Sequence, residues 1–377
     1  MIGRHEFMLP LSRFSLPVLL LLVCLSGQAS AEVIKDLYEV QIPVKSQSRE
    51  ERFDALYEAL IQVLIKVSGS TAMLANADPS TQLILQKPNN YIQQFRYRSV
   101  QTNSPGRNSA PRTELVLWIR FDEKAINTVL RERGQQVWGR TRPTALVWLI
   151  VAENGDRVLM SNQDKHPSVL NLENYARQRG LPLQFPYLDL TDRGQVSISD
   201  IWGNFEGPIL QASNRYRPEA VLVGRLFRKE DNTWSARWSI YQDGRREDLD
   251  VDGEAQLEST IQPVISQTTE TLAKRFAVVT NTSEEVSSDV LIEVSGIKSL
   301  VEFNKVVKYL ASLTVVSKVE PYVVNGSTAT FRLTTQSGRL DVAQAIDLGR
   351  VLTAQNQIQV LADGKVVKPD LVYQLKQ

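Results

Sequence analysis

Three aspartates at alternate positions form the pattern in this sequence with the clearest chemical potential. Asp248, Asp250 and Asp252 precede Gly253 in the arrangement D-x-D-x-D-G, which is the first half of a calcium-binding loop. Carboxylates so placed converge on a hard cation when the backbone curls around it. However, the residue at the closing position is Ser259, and no helical pattern precedes the run. The alternation of these acids with apolar residues instead predicts a strand with one solvated face, and we assign no metal site.

Nucleophilic catalysis would need a histidine or a serine–lysine pair in a suitable context. The two histidines are His5 and His166, and His5 lies in an N-terminal segment with the features of an export signal. A hydrolytic triad would therefore depend on His166, but no G-x-S-x-G segment accompanies it. Ser295 and Lys298 match S-x-x-K, although the companion motifs S-D-N and K-T-G are absent. We assign no catalytic residue and expect no cofactor.

The first 31 residues are predicted to form a cleaved signal peptide. Arg4 and Arg13 supply positive charge, and the apolar segment Leu16–Leu25 is short for a membrane span, which needs about 20 residues. Ala29–Ala31 is a small-residue cleavage site, so cleavage after Ala31 makes Glu32 the first mature residue. The alternative is an uncleaved anchor. We predict an exported, periplasmic protein that is not stably inserted in the membrane after signal removal.

Cysteine content and charge exclude several classes of function. The only cysteine is Cys24, which lies in the signal segment after Val23, a residue too large for a lipoprotein site. The mature chain therefore lacks disulfides and thiolate chemistry. The sequence has 43 Lys+Arg and 42 Asp+Glu, of which the signal holds Arg4, Arg13 and Glu6, so the mature charges balance. No basic excess supports nucleic-acid binding.

Hydrophobic periodicity divides the mature chain into three domains. The N-terminal domain spans residues 32–142, the central domain 143–280 and the C-terminal domain 290–377, with a polar linker at 281–289. In the first domain, a helix should begin after Ser48 and end at Gly69. A strand carrying Phe95 and Tyr97 should pair with a returning strand that ends at Phe121. We predict an α+β chain with mixed sheets and helices packed on them.

The central domain is predicted to be organised around the helix Ile209–Tyr216 and the buried strand Ala220–Phe227. Pro218 should end the helix and hold Arg217 extended. Gly224 indicates the close approach of another backbone. The helices Ile209–Tyr216 and Leu257–Phe276 should cover opposite faces of the strand. The following strand, from Trp234 to Ile240, should bury one face only.

The C-terminal domain has the order β-α-β-β-α-β and is predicted to be a ferredoxin-like sandwich. Asn325 and Gly326 mark its central hairpin, and Asp341 should cap its second helix. Ile358–Leu361 should form the last core strand.

Several segments resemble an uncharacterised proteobacterial family of exported proteins that is known only as a domain of unknown function. They are Leu64–Gly69, Leu117–Asp122, Val137–Gly139, Arg142–Pro143, Val147–Leu149 and Ala220–Leu226. The resemblance covers Glu32 to Thr280 and implies an exported protein with no catalytic residues to transfer. At the level of fold alone, the central helix and strand look like small domains of envelope-assembly proteins.

We therefore expect a non-enzymatic binding or scaffold protein of the cell envelope, with an envelope protein as its partner. Trp202, Trp234 and Trp238 could line a binding groove, although such residues more often belong to the core. The alternatives are a hydrolase that uses two facing carboxylates and a calcium-binding exported protein.

Overall fold

The computed structural model describes residues 31–75, 78–102, 112–277, 288–335, 338–349, 351–355 and 369–376. Its helices and sheets form an N-terminal module (31–139), a central module (140–277) and a C-terminal module (288–376). Each module has its own hydrophobic core, and the central sheet has one core on each face. The predicted α+β class is confirmed.

The N-terminal module packs helices on one face of an antiparallel sheet. Its strands are β1 (Ala31–Val33), β2 (Glu39–Pro43), β3 (Ile92–Thr102) and β4 (Arg112–Phe121), and its helices are α1 (Arg49–Ser68), α2 (Ala72–Ala75), α3 (Pro79–Leu85) and α4 (Glu123–Glu132). The sheet order is β2-β4-β3. Helix α1 begins and ends as predicted, because the Ser48 side chain accepts the Glu51 N–H and Gly69 adopts a φ of 70°. Its apolar side packs against Leu117 and Ile119, which leaves the opposite face of the sheet for polar side chains.

The central module is a six-stranded sheet between two sets of helices. Its strands are β5 (Thr141–Pro143), β6 (Ala145–Glu153), β7 (Asp156–Met160), β8 (Leu183–Gln184), β9 (Ala220–Arg228), β10 (Trp234–Gln242) and β11 (Arg245–Glu254), and its helices are α5 (Pro167–Arg179), α6 (Leu190–Gln195), α7 (Ile198–Gly203), α8 (Glu206–Ser213) and α9 (Leu257–Phe276). The order is β11-β10-β9-β6-β7, with β8 beside β6. Strand β5 instead pairs with β1 and so joins the first two modules.

Strand β9 is central and covered on both faces, as predicted. Leu222 belongs to the core that includes Ile261 and Val264 of α9. Val221 and Val223 belong to the opposite core, which includes Ile209 of α8 and Tyr216 in the 3-10 turn that continues α8. The sequence pattern therefore predicted correctly which helix covers each face of β9.

Three local predictions for the central module were wrong. Arg217 is left-handed, with φ 46° and ψ 50°, because it closes the 3-10 turn and its N–H bonds to Asn214; this closure outweighs the restriction from Pro218. Gly224 makes room for the Trp238 indole rather than for another backbone. Strand β10 is buried on both faces, since Ser239 is fully enclosed among polar partners.

Adding a methyl group at Gly224 should destabilise the central module. A Cβ there would overlap the Trp238 ring and lie 2.9 Å from Leu149 Cδ1, so Gly224→Ala should cost about 1–3 kcal/mol through overpacking. Gly207 in α8 has open space around its Cβ position, and Gly207→Ala should be neutral or slightly stabilising. Urea unfolding of the two variants tests this, and equal midpoints would contradict the packing described for β9.

The C-terminal module follows the predicted order with one change in its sheet. Its elements are β12 (Ser288–Ser295), α10 (Leu300–Ala311), β13 (Val316–Asn325), β14 (Thr328–Thr335), α11 (Arg339–Asp347), β15 (Leu352–Ala354) and β16 (Leu371–Leu375). The order is β13-β14-β12-β16-β15. The first three strands have the ferredoxin-like arrangement. However, β16 runs parallel to β12, and β15 adds an edge beyond it.

Details at the ends of this module's elements also differ from the predictions. Helix α11 starts two residues before Asp341, whose carboxylate instead accepts the Gly338 N–H from the third helical position. Strand β12 begins at Ser288, inside the predicted linker 281–289, whose other positions up to 287 lie outside the described residues. The predicted strand Ile358–Leu361 also lies outside them.

Candidate functional site

The three aspartates of the sequence motif lie on β11, which pairs with β10 in a hairpin. Side chains at alternate positions of an extended strand are about 7 Å apart, too far to share one cation. Asp248 accepts hydrogen bonds from Ser239 (2.6 Å) and Arg246 (2.9 Å), and Asp252 pairs with Lys229 (2.6 Å). These cations lower the pKa of both carboxyls. The strand interpretation is confirmed, and within the described residues no group of three or more acidic, histidine or cysteine side chains could hold a metal.

Calcium should therefore bind this hairpin weakly or not at all. Asp248 and Asp252 are already bonded to basic side chains. Asp250 lies opposite Arg237 in the β10–β11 pair, so all three carboxylates have a basic neighbour. Calorimetric titration of the mature protein should give no saturable calcium signal, and Asp250→Ala should behave like the wild type. Micromolar affinity that disappears in Asp250→Ala would reverse this conclusion.

His166 and Ser295 both have structural roles. His166 caps α5: its Nδ1 accepts the Ser168 N–H at 3.2 Å and lies 2.7 Å from Ser168 Oγ, while its Nε2 lies 3.4 Å from Glu153. Ser168 is fully buried, so this serine–histidine–glutamate arrangement cannot reach a substrate. Ser295 donates to the Tyr373 carbonyl at the end of β12. His166 is thus a half-buried helix cap rather than a free loop residue.

Of the three tryptophans considered for a binding groove, one is fully buried and two are partly buried at the margins of the central cores. Trp238 is fully buried and its indole N–H donates to the Thr260 carbonyl. Trp234 packs at the margin of the same core, and Trp202 lies beneath the Arg157 guanidinium at 4.1 Å. The three rings do not share one groove, since Trp202 and Trp238 belong to opposite faces of the sheet.

A buried arginine joins the N-terminal and central modules. Arg142 has no solvent exposure and donates to five carbonyls, those of Lys66 (2.7 Å), Gly180 (2.8 Å), Trp138 (2.9 Å), Gly139 (3.0 Å) and Arg179 (3.4 Å). Its guanidinium also stacks on the Trp138 ring at 4.1 Å. Burial lowers the pKa of Arg142, but the group stays protonated at neutral pH and uses its donors on backbone oxygens. We name this set of contacts the Arg142 junction. It connects the two modules, and the guanidinium donors are all used on backbone oxygens, so Arg142 has none left to bind a substrate.

A polar cleft of about 300 Å³ opens beside this junction, between β2, α1 and α5. Lys66 in its wall is 4% exposed, donates to the Asp36 carbonyl at 2.7 Å and lies 3.6 Å from the Asp36 carboxylate. Burial lowers the pKa of Lys66. Glu39 lines the same cleft, but its carboxylate is bonded to Trp118 and Arg120 on the outer face of the sheet.

Glu39 also forms the boundary of a second surface, on the outer face of the β2-β4-β3 sheet. Trp118 lies at the centre of this face, and its indole N–H donates to Glu39 at 3.1 Å. Three guanidinium groups surround the ring, with Arg96 at 4.5 Å, Arg98 at 4.8 Å and Arg120 at 5.1 Å from its centroid. We call Arg96, Arg98, Trp118 and Arg120 the arginine–tryptophan face. Only 3% of Trp118 is exposed, because the arginines cover it.

The three arginines differ in their electrostatic partners. Arg120 donates to Glu39 from both Nε (3.0 Å) and Nη2 (2.6 Å). Arg96 and Arg98 stack on the indole, and neither forms an ion pair with any carboxylate in the described ranges. Arg96 is exposed and Arg98 is half-buried. A guanidinium held flat on a ring keeps its edge donors free for a carboxylate or another oxyanion.

Sequence reasoning missed this face. Trp118 and Arg120 were noted only as part of a resembling segment, and Arg96 and Arg98 were not singled out. The available signal was the placement of both arginines on the same face of a strand, alternating with Phe95 and Tyr97. Their meeting with Trp118 depends on the pairing of Arg96 with Trp118 across β3 and β4, which the strand pattern does not specify.

The fold and this site define a class, a three-module α+β protein with an exposed cationic face centred on a tryptophan. A family model described as Domain of unknown function (DUF8605) matches residues 31–139. A search of curated proteins found no match. A domain of unknown function is thus found over the N-terminal module, as the resemblance implied, and the match does not reach the expected limit at Thr280. The matched segment contains Lys66 and all four residues of the arginine–tryptophan face.

Proposed function

We propose that the protein is an exported, non-enzymatic binding protein of the cell envelope and that the arginine–tryptophan face is its binding surface. The observation that carries this proposal is the pair Arg96 and Arg98, two guanidinium groups held on a solvent-facing sheet without an acidic partner among the described residues. Arginine and tryptophan are the residue types that contribute most to binding energy at protein interfaces. The face therefore suits a partner that carries carboxylates or other anionic groups.

The rigidity of this face favours binding. Trp118 fixes the arginines by stacking, and Glu39 fixes both Trp118 and Arg120 by hydrogen bonds. Side chains that are already ordered lose less conformational entropy when a partner binds. Among the described residues, no helix combines the length and apolar character needed to cross a bilayer. We propose that the leader directs export and that the mature chain acts outside the cytoplasm.

The signal peptide gives the most direct test of export. Expression with the natural leader should yield a periplasmic form whose first residue is Glu32, because Ala29–Ala31 fits the cleavage pattern. Cleavage there would leave Glu32 and Val33 in β1 to pair with β5. N-terminal sequencing after cell fractionation decides this, and a mature end upstream of Ser26, or retention in the cytoplasm, would contradict it.

Crosslinked pull-down from an envelope extract tests the binding function. The wild-type mature chain should capture a partner, and Arg96→Ser/Arg98→Ser should lose it. The matched control is Arg245→Ser/Arg339→Ser, which removes the same charge from exposed positions in the other modules. Equal capture by both double variants would place binding elsewhere, and no capture by the wild type would count against the proposal.

A carboxylate-dependent envelope hydrolase is the second candidate, and the cleft with Asp36 and Glu39 is the observation in its favour. Both acids already bind cations: Asp36 lies beside Lys66, and Glu39 is held by Arg120. This arrangement suits an ion-pair network better than a general acid with a free proton. Release of soluble fragments from peptidoglycan by the wild type, but not by Asp36→Asn or Glu39→Gln, would favour the hydrolase.

A further inference from the structure

Strand β3 presents a long free edge beside the arginine–tryptophan face. It has 11 residues, about twice the usual strand length. It pairs only with β4 among the described strands. No other described backbone group bonds to residues 93–102. A row of unpaired N–H and C=O groups is a template onto which another extended chain can add.

The side chains along β3 define what such a chain must carry. Arg96 and Arg98 lie on the outer face of the strand, whereas Phe95 and Tyr97 lie on the inner face, opposite Ile119 and Leu117. Phe95 is 41% exposed, which leaves apolar surface at the edge. Because an added strand alternates its side chains in the same way, its outer residues would neighbour the arginines and its inner residues would neighbour Phe95.

A second copy of this chain is a poor occupant of the same edge. Antiparallel pairing of two β3 strands would bring the arginines of both copies onto one face of the joined sheet. Like charges on neighbouring strands destabilise a pair. The arginines thus oppose self-association through this edge, and the same charges favour a strand of opposite sign.

We propose that the β3 edge binds an extended segment of a partner protein in which acidic residues alternate with apolar residues. The segment extends the sheet to the order β2-β4-β3-partner, its carboxylates accept hydrogen bonds from Arg96 and Arg98, and its apolar side chains cover Phe95. This inference rests on the proposed binding function and adds the chemical class of the partner.

Two labelled synthetic peptides of seven residues test this proposal on the mature full-length protein. One alternates valine with glutamate and the other alternates valine with lysine, and both have blocked ends. Fluorescence anisotropy should show that the glutamate peptide binds at least about tenfold more tightly than the lysine peptide. Arg96→Glu/Arg98→Glu should reverse this preference, whereas Arg245→Glu/Arg339→Glu should leave it unchanged. If Arg96→Glu/Arg98→Glu does not fold, the uncharged variant Arg96→Gln/Arg98→Gln replaces it. That variant should bind the two peptides equally.

Hydrogen exchange locates the bound peptide. The glutamate peptide should protect the backbone amides of β3 while leaving those of the exposed strand β13 unchanged. Equal binding of both peptides, or protection outside β3, would overturn the inference. If envelope capture depends on Arg96 and Arg98 but the glutamate peptide does not bind, the partner class proposed here is wrong and the binding function stands. If neither capture nor peptide binding depends on these arginines, both proposals fail.

Discussion

Replacing Leu222 by alanine is expected to lower the free energy of unfolding by about 2–5 kcal/mol. Leu222 has no solvent exposure and lies in the core between β9 and α9. Strand β9 has neighbours on both sides, β10 and β6, so the backbone there cannot move to close a cavity. The cost therefore combines the lost burial with the cavity left behind.

Leu249→Ala is the matched comparison for Leu222→Ala. Leu249 packs against the same core but is only partly buried, on the edge strand β11. The edge can relax and water already reaches part of the side chain, so this loss should be clearly smaller. Denaturant unfolding of both variants measures the difference. Similar losses would mean that β9 is not the central strand of this module.

Replacing Arg142 by methionine should cost about 3–5 kcal/mol, because removing a buried, fully bonded charge leaves its partners unsatisfied. The five carbonyls that accept its hydrogen bonds belong to Lys66, Trp138, Gly139, Arg179 and Gly180. Methionine keeps the apolar stem but has no donor to offer. Arg142→Lys should also be strongly destabilising, because an ammonium group cannot span five oxygens arranged for a planar guanidinium.

Arg246 on β11 provides a control for the Arg142 junction. It is exposed and pairs with Asp248 at 2.9 Å within the same strand, so Arg246→Met should cost about 0–1 kcal/mol. Thermal unfolding should also show a broader or divided transition in Arg142→Met, since the N-terminal and central modules lose their most deeply buried polar contact. A single unchanged transition would show that the remaining contacts, among them the pairing of β1 with β5, are enough to couple the two modules.

Local sequence signals predicted the elements more reliably than their pairing. Ser48 and Gly69 marked α1 because a cap requires a side-chain acceptor at one end and a positive φ at the other. The buried character of β9 followed from its uninterrupted apolar run. By contrast, the position of β16 between β12 and β15 depends on the choice among several edges, which the alternation of residues in one strand does not encode.

The candidate site was harder to predict than the fold for a related reason. The acidic motif at Asp248 was conspicuous in the sequence, yet its residues belong to the ordinary ion pairs of a hairpin. Arg96 and Arg98 form no motif, and they acquire significance only because β4 brings Trp118 beneath them. In the sequence, Arg142 is one of several arginines in a connector, and only the fold places five carbonyls around it.

A photocrosslinking amino acid at position 94 tests the central claim most directly. Gln94 is exposed and lies on the outer face of β3, next to Arg96. In cells that export the chain with its own leader, irradiation should give a discrete adduct with an envelope protein. The same group at the exposed position Arg245 in the central module should give none. The adduct at position 94 should disappear in Arg96→Ser/Arg98→Ser. The absence of an adduct at position 94, or an adduct that persists in the double variant, would contradict binding through the arginine–tryptophan face.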